Sequence, residues 1–350
     1  MRIALATDAW HPQVNGVVRS LSMTVDQLRD RGHEVVVIDP SRFWTVPCPT
    51  YSEIRLALNS SWRIGRMLDE FDPDAIHIAT EAPVGLGARA WCLKRGRRFT
   101  TSFHTRFPDY VSVRSGIPVD WIWPMMRRFH GPAERTFVVT ASLAGEIEGR
   151  GIDPTHLWPL GVDLRLFNPS VPLNPEIARL PRPIMLNVGR VAVEKNIHAF
   201  LEAPVEGTKV VVGGGPALER LKARFPQALF LGPKHGSELA ACYVAADVFV
   251  FPSRTDTFGL VNIEALACGL PIAGFPVQGP LDIVGPDGRG THGGTGLIGA
   301  LHVDLSTAIR GALLANRASA AAEALHYGWE MCTERFLAGL AVDEQLRCAA

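Results

Sequence analysis

Short β-type runs alternate with longer helical patterns along this chain, stop, and then begin again. Ile3–Thr7, Val35–Ile38, Ala75–Ile78, Phe99–Phe103 and Phe137–Thr140 read as buried strands, with helical stretches such as Val18–Arg31 and Leu86–Arg95 between them. Alternation of this kind calls for a parallel sheet with helices on its faces, because parallel strands need a crossover to bring the chain back. The pattern pauses at Asn168-Pro169-Ser170-Val171-Pro172-Leu173-Asn174-Pro175, with Pro181 and Pro183 close behind, a composition expected of a linker. It resumes with Ile184–Val188, Lys209–Val212, Ala228–Leu231, Val248–Phe251 and Pro271–Ala273. The glycine-rich segment Gly285–Gly299 reads as a mobile loop, and helical patterns around Ser306–Leu325 and Trp329–Leu340 follow. The expected fold class is α/β with two parallel-sheet domains, 1–168 and 169–328. A terminal helix at about 329–350 is expected to pack back on the first. The 350 residues suit two domains of about 150 each.

Composition excludes several functions. Lys plus Arg and Asp plus Glu are both 35, so the chain lacks the basic excess of a nucleic-acid binder. The six cysteines show no paired metal-ligand spacing and are expected to be free thiols in a reducing cytoplasm. The apolar run at the N-terminus is too short for a signal peptide, and no run of about 18 apolar residues suggests a membrane span. Charge is uneven, however. Between Arg89 and Arg135 lie ten cations and three acids, beside Trp91, Trp121, Trp123, Met125, Met126 and Phe129. This stretch is either a docking surface for an anionic bilayer or a core-facing helix with a solvated cationic face.

Four motifs follow predicted strands, at the end where α/β sheets bind ligands. Asn15-Gly16-Val17-Val18 opens a helix, where backbone N–H groups favour a phosphate; a plain tight turn satisfies the same residues. Gly189-Arg190 with Lys195 supplies a planar fork and a point charge, both suited to diphosphate oxygens, or else ordinary surface cations. Gly213-Gly214-Gly215-Pro216 lacks the last glycine of a dinucleotide fingerprint and reads as a tight turn near a nucleotide, not as an NAD site. Ser253–Ala265 places Asp256 and Glu264 eight residues apart around Phe258-Gly259-Leu260. Glu264, about two helical turns in, could accept ribose hydroxyls, and Asp256 or Thr257 could equally cap the helix. His104 closes a strand and is either structural or part of a site. Asp72-Pro73-Asp74 has the spacing of a metal motif, but the central proline favours a turn.

In this order the motifs resemble the retaining family-4 glycosyltransferases of the GT-B fold, two Rossmann-like domains facing a cleft. The stretches concerned are Thr7-Asp8 through Val18, His104-Thr105-Arg106-Phe107-Pro108, Gly161-Val162-Asp163 with Phe167-Asn168-Pro169, Val188-Gly189-Arg190 with Glu194-Lys195-Asn196, and Asp256 through Glu264. The family pattern is Glu, seven residues, Glu; Asp256 is a shorter substitute for the first. The resemblance implies that Arg190 and Lys195 bind the donor phosphates and that Gly16 meets them from the other domain. It further implies that Asp256 and the Phe258–Leu260 turn hold the sugar, that Glu264 holds the ribose and that His104 lines the reaction centre. In style the chain is similar to bacterial enzymes that glycosylate membrane lipids such as diacylglycerol. The expected activity is transfer of a hexose to an acceptor hydroxyl, with no metal and no cofactor beyond the nucleotide diphosphate sugar. A UDP-sugar such as UDP-glucose is favoured over GDP-mannose. The protein is expected in the cytoplasm, peripheral on the inner face of the membrane. The alternatives are a GDP-mannose-dependent mannosyltransferase on another lipid or glycan, a sugar-nucleotide epimerase of the same architecture, and a non-catalytic sugar-nucleotide or lipid binder.

Overall fold

The computed structural model describes residues 1–13, 15–48, 51–58, 61–104 and 107–342. Thr105 and Arg106 of the motif at His104, and 343–350 of the expected terminal helix, lie outside the described residues, as does the side chain of Arg114. Contacts divide the chain into two compact units, Met1–Pro159 with Cys332–Ala350, and Leu160–Met331. The chain enters the second unit before the proline-rich stretch because 160–168 already pack there. Val162 N donates to Tyr327 O, and Phe167 stacks edge-on to Tyr243 at 6.0 Å.

The strands are β1 Arg2–Ala6, β2 Glu34–Ile38, β3 Thr45–Cys48, β4 Tyr51–Ala57, β5 Ala75–Ile78, β6 Thr100–Phe103, β7 Thr136–Val138 and β8 Thr155–Leu157 in the first unit. The second unit holds β9 Ile184–Val188, β10 Thr208–Val212, β11 Leu229–Phe230, β12 Val248–Phe251, β13 Ile272–Gly274 and β14 Gly299–Leu301. Helices of the first unit are α1 Gly16–Asp30, α2 Ser61–Phe71, α3 Pro83–Arg95, α4 Phe107–Ser115, α5 Val119–His130 and α6 Ala141–Glu148. Those of the second are α7 Pro175–Ala178, α8 Ile197–Glu202, α9 Leu218–Arg224, α10 Gly236–Ala245, α11 Leu260–Ala267, α12 Pro280–Val284, α13 Leu305–Ala312 and α14 Arg317–Ala324. The chain returns to the first unit within α15, Trp329–Gly339.

The first sheet runs β2-β1-β5-β6-β7-β8 and the second β11-β10-β9-β12-β13-β14, every pair parallel. In both, the first strand of the unit lies inside the sheet and the order reverses beside it, between β1 and β5 and between β9 and β12. Loops leaving the strand ends at such a reversal diverge and open a crevice.

Apolar strands are buried on both faces, as a helix-covered parallel sheet requires. In the first unit Ile3, Leu5, Val25, Phe137, Trp158 and Phe336 form one layer and Ile76, Ile78, Val84, Trp91 and Phe129 another. α15 closes on this sheet so tightly that a Cβ on Gly339 would lie 2.4 Å from Phe137 and His156. Three features were not legible in advance. The antiparallel hairpin β3–β4 stands outside both sheets. β8 is short and only half-buried, and β14 carries the end of the glycine-rich segment as an edge strand. The rest of that segment has no regular structure but is tied down. The buried Glu323 carboxylate accepts from Thr291 N at 2.9 Å and lies 2.8 Å from His292 Nδ1.

Candidate active site

The reversal in the second sheet gathers the cations and carboxylates singled out in the sequence. β9 ends at Val188 and runs into Gly189-Arg190; its neighbour β12 ends at Phe251 and runs into Pro252-Ser253. Two asparagines lock these exits together: Asn187 Nδ2 donates to Val250 O, and Asn196 Nδ2 to Pro252 O, each at 3.0 Å. Lys195 then reaches from the first exit to the second, its Nζ 2.5 Å from Asp256 Oδ1. Arg190 is exposed on the same exit. The residues read as phosphate and sugar contacts are thus coupled to one another.

Four buried polar atoms of this unit have no hydrogen-bond partner among the described residues: Asn187 Oδ1, Ser253 Oγ, Asp256 Oδ2 and Asn262 Oδ1. All four belong to the end of β9 or to the segment from β12 into α11. Buried polar groups are nearly always paired, and an unpaired one costs about 1–3 kcal/mol. Four in these two adjacent segments are groups that a ligand bound at the strand exits could satisfy.

The glycine run after β10 shapes this surface from below. A Cβ on Gly213 would lie 1.9 Å from Gly189 O, so only glycine lets the β10 turn back up the Gly189–Val191 loop. Gly189 N donates to Val212 O and Val191 N to Gly214 O across that approach. The run is therefore a support for the loop that carries Arg190.

Glu264 is 2 % exposed and its Oε2 accepts from Tyr243 OH on α10 at 3.0 Å. Because α11 begins at Leu260, Glu264 lies just over one turn in, not two. The cap also differs from expectation. Gly259, with φ of 83°, occupies the N-cap, and neither Asp256 nor Thr257 does. Asp256 is thereby released from capping. The Phe258 ring is buried against Tyr327 at 5.9 Å, so it anchors the turn and only its backbone is offered to a sugar. Leu260 is half-buried at the first position of α11.

In the first unit, Gly16 is exposed at the start of α1, whose cap Asn15 accepts from Val18 N at 3.0 Å. His104 directly follows β6, edge-on to Trp158 at 5.6 Å. Its Nε2 is buried although the residue is partly open, and burial pulls its pKa down to about 4. Sequence reasoning named Asp8 only within a resembling stretch, without a role, and passed over Glu81 and His130. Asp8 Oδ1 accepts from Val84 N at 2.9 Å, and Oδ2 from Gly85 N at 3.2 Å and Thr80 Oγ1 at 2.9 Å, so this carboxylate caps α3. Burial pushes its pKa up to about 6 against those bonds. A cap that lies 76 residues away in sequence leaves no local signal.

Asp72-Pro73-Asp74 forms a turn at the opposite end of the sheet. Asp74 accepts from the Arg2 amide, and Asp72 pairs with Arg97 at 3.3 Å. Among the described residues no cluster of three or more His, Cys, Asp or Glu is arranged to hold a metal ion. The stretch Arg89–Arg135 departs from a uniform docking face. Trp91, Trp123, Met126 and Phe129 are buried in the core, leaving Trp121 and Met125 exposed. Arg95 pairs with Asp69 at 2.8 Å, Arg98 with Glu134 at 2.9 Å, and Arg89 donates to the carbonyls of Arg128 and Phe129.

Known proteins show the same organisation. The family model described as Glycosyltransferase Family 4 matches residues 14–166, and that described as Glycosyl transferases group 1 matches residues 174–324. A GDP-mannose-dependent alpha-mannosyltransferase of Mycobacterium tuberculosis is 32% identical over 83% of this chain and 83% of its own. An alpha-monoglucosyldiacylglycerol synthase of Streptococcus pneumoniae is 27% identical over 78% of this chain and 70% of its own. Among solved structures, a sucrose-phosphate synthase from Thermosynechococcus elongatus superposes with a TM-score of 0.74 at 20% identity, covering 100% of both chains. With the parallel-sheet pair and the site at β9 and β12, these matches establish that the chain belongs to the family-4 glycosyltransferases of the GT-B fold.

Proposed function

We propose that this glycosyltransferase moves a hexose from a nucleoside diphosphate donor to the hydroxyl of a diacylglycerol-type membrane lipid, with retention at the anomeric carbon. The observation that carries the donor half is the Lys195–Asp256 pair beside four unpartnered buried polar atoms, where β9 and β12 diverge. In this reading the bond from the anomeric carbon to the phosphate oxygen breaks and a bond to the acceptor oxygen forms. The acceptor's proton passes to the departing phosphate on the same face, so no separate base is needed. Negative charge grows on the leaving diphosphate, and Arg190 and Lys195 stabilise it more in the transition state than in the ground state. Asp256, oriented by Lys195, holds sugar hydroxyls, and Glu264, oriented by Tyr243, holds the ribose. His104, kept neutral by burial, offers a hydrogen bond in place of a charge.

The lipid half rests on relatives of the diacylglycerol-synthase kind and on the exposed Trp121–Met125 face of α5. No helix among the described residues is long and apolar enough to cross a membrane, so this reading places the protein on the bilayer surface. A second reading keeps the mechanism and changes the donor. Two mycobacterial relatives, 32% and 33% identical, are GDP-mannose-dependent mannosyltransferases. One experiment separates the two: thermal shift with UDP, GDP, UDP-glucose, UDP-glucuronate and GDP-mannose, followed by product analysis with dioctanoylglycerol. A true donor at about 100 times its Kd adds about 2.7 kcal/mol of stability. UDP-sugars alone should stabilise and yield an α-glycosyl lipid. Stabilisation by GDP-mannose alone selects the second reading, and an inverted product or no lipid product refutes the first.

A further inference from the structure

The reversal point of the first sheet carries a carboxylate that none of the preceding roles uses. β1 pairs with β5 so that Ala6 faces Ile78, and two residues on, Asp8 meets Thr80. Asp8 is fully engaged in capping α3. A Cβ on Gly85 would lie 1.8 Å from Thr80 O, so α3 is packed hard against the turn that follows β5. That turn delivers Glu81. β5 in turn pairs with β6, Ile78 facing Thr101, so Glu81 and His104 each lie three residues beyond a matched pair, on adjacent strands.

Behind Glu81 runs a chain of buried polar groups that ends on an imidazole nitrogen with no hydrogen-bond partner among the described residues. Thr136 Oγ1 lies 3.1 Å from Thr101 Oγ1, which lies 2.9 Å from His130 Nδ1. His130 Nε2 stands 3.4 Å from Glu81 Oε1, with the imidazole fully buried and the carboxylate 12% exposed. No hydrogen bond from a described residue ends on Glu81 Oε2. A fully buried imidazole 3.4 Å from the carboxylate bounds it on that side, and carboxylate oxygens serve chiefly as hydrogen-bond acceptors. The ligand met here must therefore donate, as an alcohol does.

We propose that Glu81 is an acceptor-binding residue, its carboxylate taking a hydrogen bond from an acceptor hydroxyl, and that His130 is a positioning residue acting through it. This rests on the glycosyl-transfer reading above, in which the unit 169–328 carries the donor. The bland alternative is a structural Glu81–His130 pair, which would make every activity of the variant fall together.

The test compares wild type, Glu81→Gln, Glu81→Asp and His130→Gln with UDP-glucose and GDP-mannose as donors. Two quantities are read: release of nucleoside diphosphate without acceptor, and partition between glycoside and free sugar with dioctanoylglycerol or concentrated glycerol. For Glu81→Gln we expect donor KM and acceptor-free release within about twofold of wild type, acceptor KM raised about tenfold, and partition to glycoside lowered to match. Glu81→Asp, which keeps the charge at shorter reach, should be intermediate. His130→Gln should raise acceptor KM less and shift its pH profile. Unchanged acceptor KM in Glu81→Gln overturns the proposal, as does a parallel loss of acceptor-free release in both Glu81 variants. If wild type glycosylates glycerol but not dioctanoylglycerol, the lipid reading fails while the glycerol partition still decides Glu81.

Discussion

At the scale of single residues, the site works through pairs. Lys195 and Asp256 share a 2.5 Å contact, so removing either leaves the other displaced as well as unpartnered. We expect Arg190→Ala and Lys195→Ala each to lower kcat/KM by at least about tenfold, about 1.4 kcal/mol. Lys195→Ala with Asp256→Ala should cost clearly less than the sum, because one contact is counted in both single variants. Steady-state kinetics on the three single variants and the Lys195/Asp256 double variant checks this, and additivity of that pair would mean the contact has no part in catalysis. Glu264 and Tyr243 form the other pair. A ribose contact is similar in ground and transition states, so Glu264→Gln should raise donor KM with kcat little changed. Tyr243→Phe removes one buried hydrogen bond, worth about 1 kcal/mol, and should raise donor KM roughly fivefold in the same manner. A fall in kcat at constant KM in either variant would contradict the ribose role. Arg190, Lys195, Asp256 and Glu264 could be picked from sequence because each follows a strand at short range. Tyr243 and Asp8 could not, since their partners are distant in sequence and their spacing carries no pattern.

Elements were legible in proportion to their burial. β9 and β12 came out with the expected bounds because uninterrupted apolar runs admit no other reading, whereas β8, half-buried and three residues long, gives no periodic signal. The middle of the first sheet also carries a pH dependence that follows from its packing. His77 on β5 is buried, its Nδ1 2.8 Å from Thr100 Oγ1 and its Nε2 2.7 Å from Ser102 Oγ. Burial, with the nearby His104 and His156 charges adding, holds its pKa well below the usual 6.5. Burial likewise takes His104 down to about 4. A folded pKa below the unfolded one means that the unfolded chain binds protons the fold refuses. These contributions are complete above pH 6.5 and are lost as pH falls below it, that of His104 by about pH 4. Asp8 acts in the opposite sense. Burial raises it from 3.8 to about 6, so the fold binds its proton first and gains stability as pH falls through that window. His104 and Asp8 move by similar amounts and largely offset one another, at about 1.4 kcal/mol per unit. The acid lability of this sheet is therefore left to His77, with His156 on β8, which burial also lowers, adding in the same sense. In thermal melts from pH 7 to pH 4.5, His77→Asn should lower Tm at pH 7 but flatten its decline, and Asp8→Asn should steepen it. A wild-type slope in both variants would show that these groups do not control it.

For the whole molecule, the sequence marked a cation-rich and aromatic stretch without being able to say which side chains face inward. The structure sorts them. α5 buries Ile122, Trp123, Met126 and Phe129 and exposes Trp121, Met125, Arg127 and Arg128. Trp121, Met125 and Arg128 are spaced four and three apart, so they share one outward face of the helix. An indole, a thioether and the Arg128 cation suit the headgroup boundary of an anionic bilayer, where each nearby cation adds about 1 kcal/mol, while Arg127 lies to the side with its Nη1 donating to Arg150 O at 3.3 Å. Arg95, Arg97 and Arg98 belong to a different class. Their bonds to Asp69, Asp72, Glu134 and the carbonyl of Pro73 hold the ends of α2 and α3 to the sheet. Reversing the charge of those three should lower Tm and leave vesicle binding per folded molecule nearly unchanged. Reversing Arg127 and Arg128 should leave Tm nearly unchanged and weaken binding to phosphatidylglycerol vesicles about tenfold or more, since two attractions become two repulsions. Trp121→Ala with Met125→Ala should weaken binding at every salt concentration, because the apolar contribution is not screened, whereas wild-type binding should fall as salt rises. Co-sedimentation with phosphatidylglycerol and with neutral phosphatidylcholine vesicles, alongside melting curves for each variant, separates the two sets of arginines. Equal binding of wild type to both lipids, or full binding by Arg127→Glu/Arg128→Glu, would rule α5 out as the contact and leave the lipid acceptor to be reached by another surface.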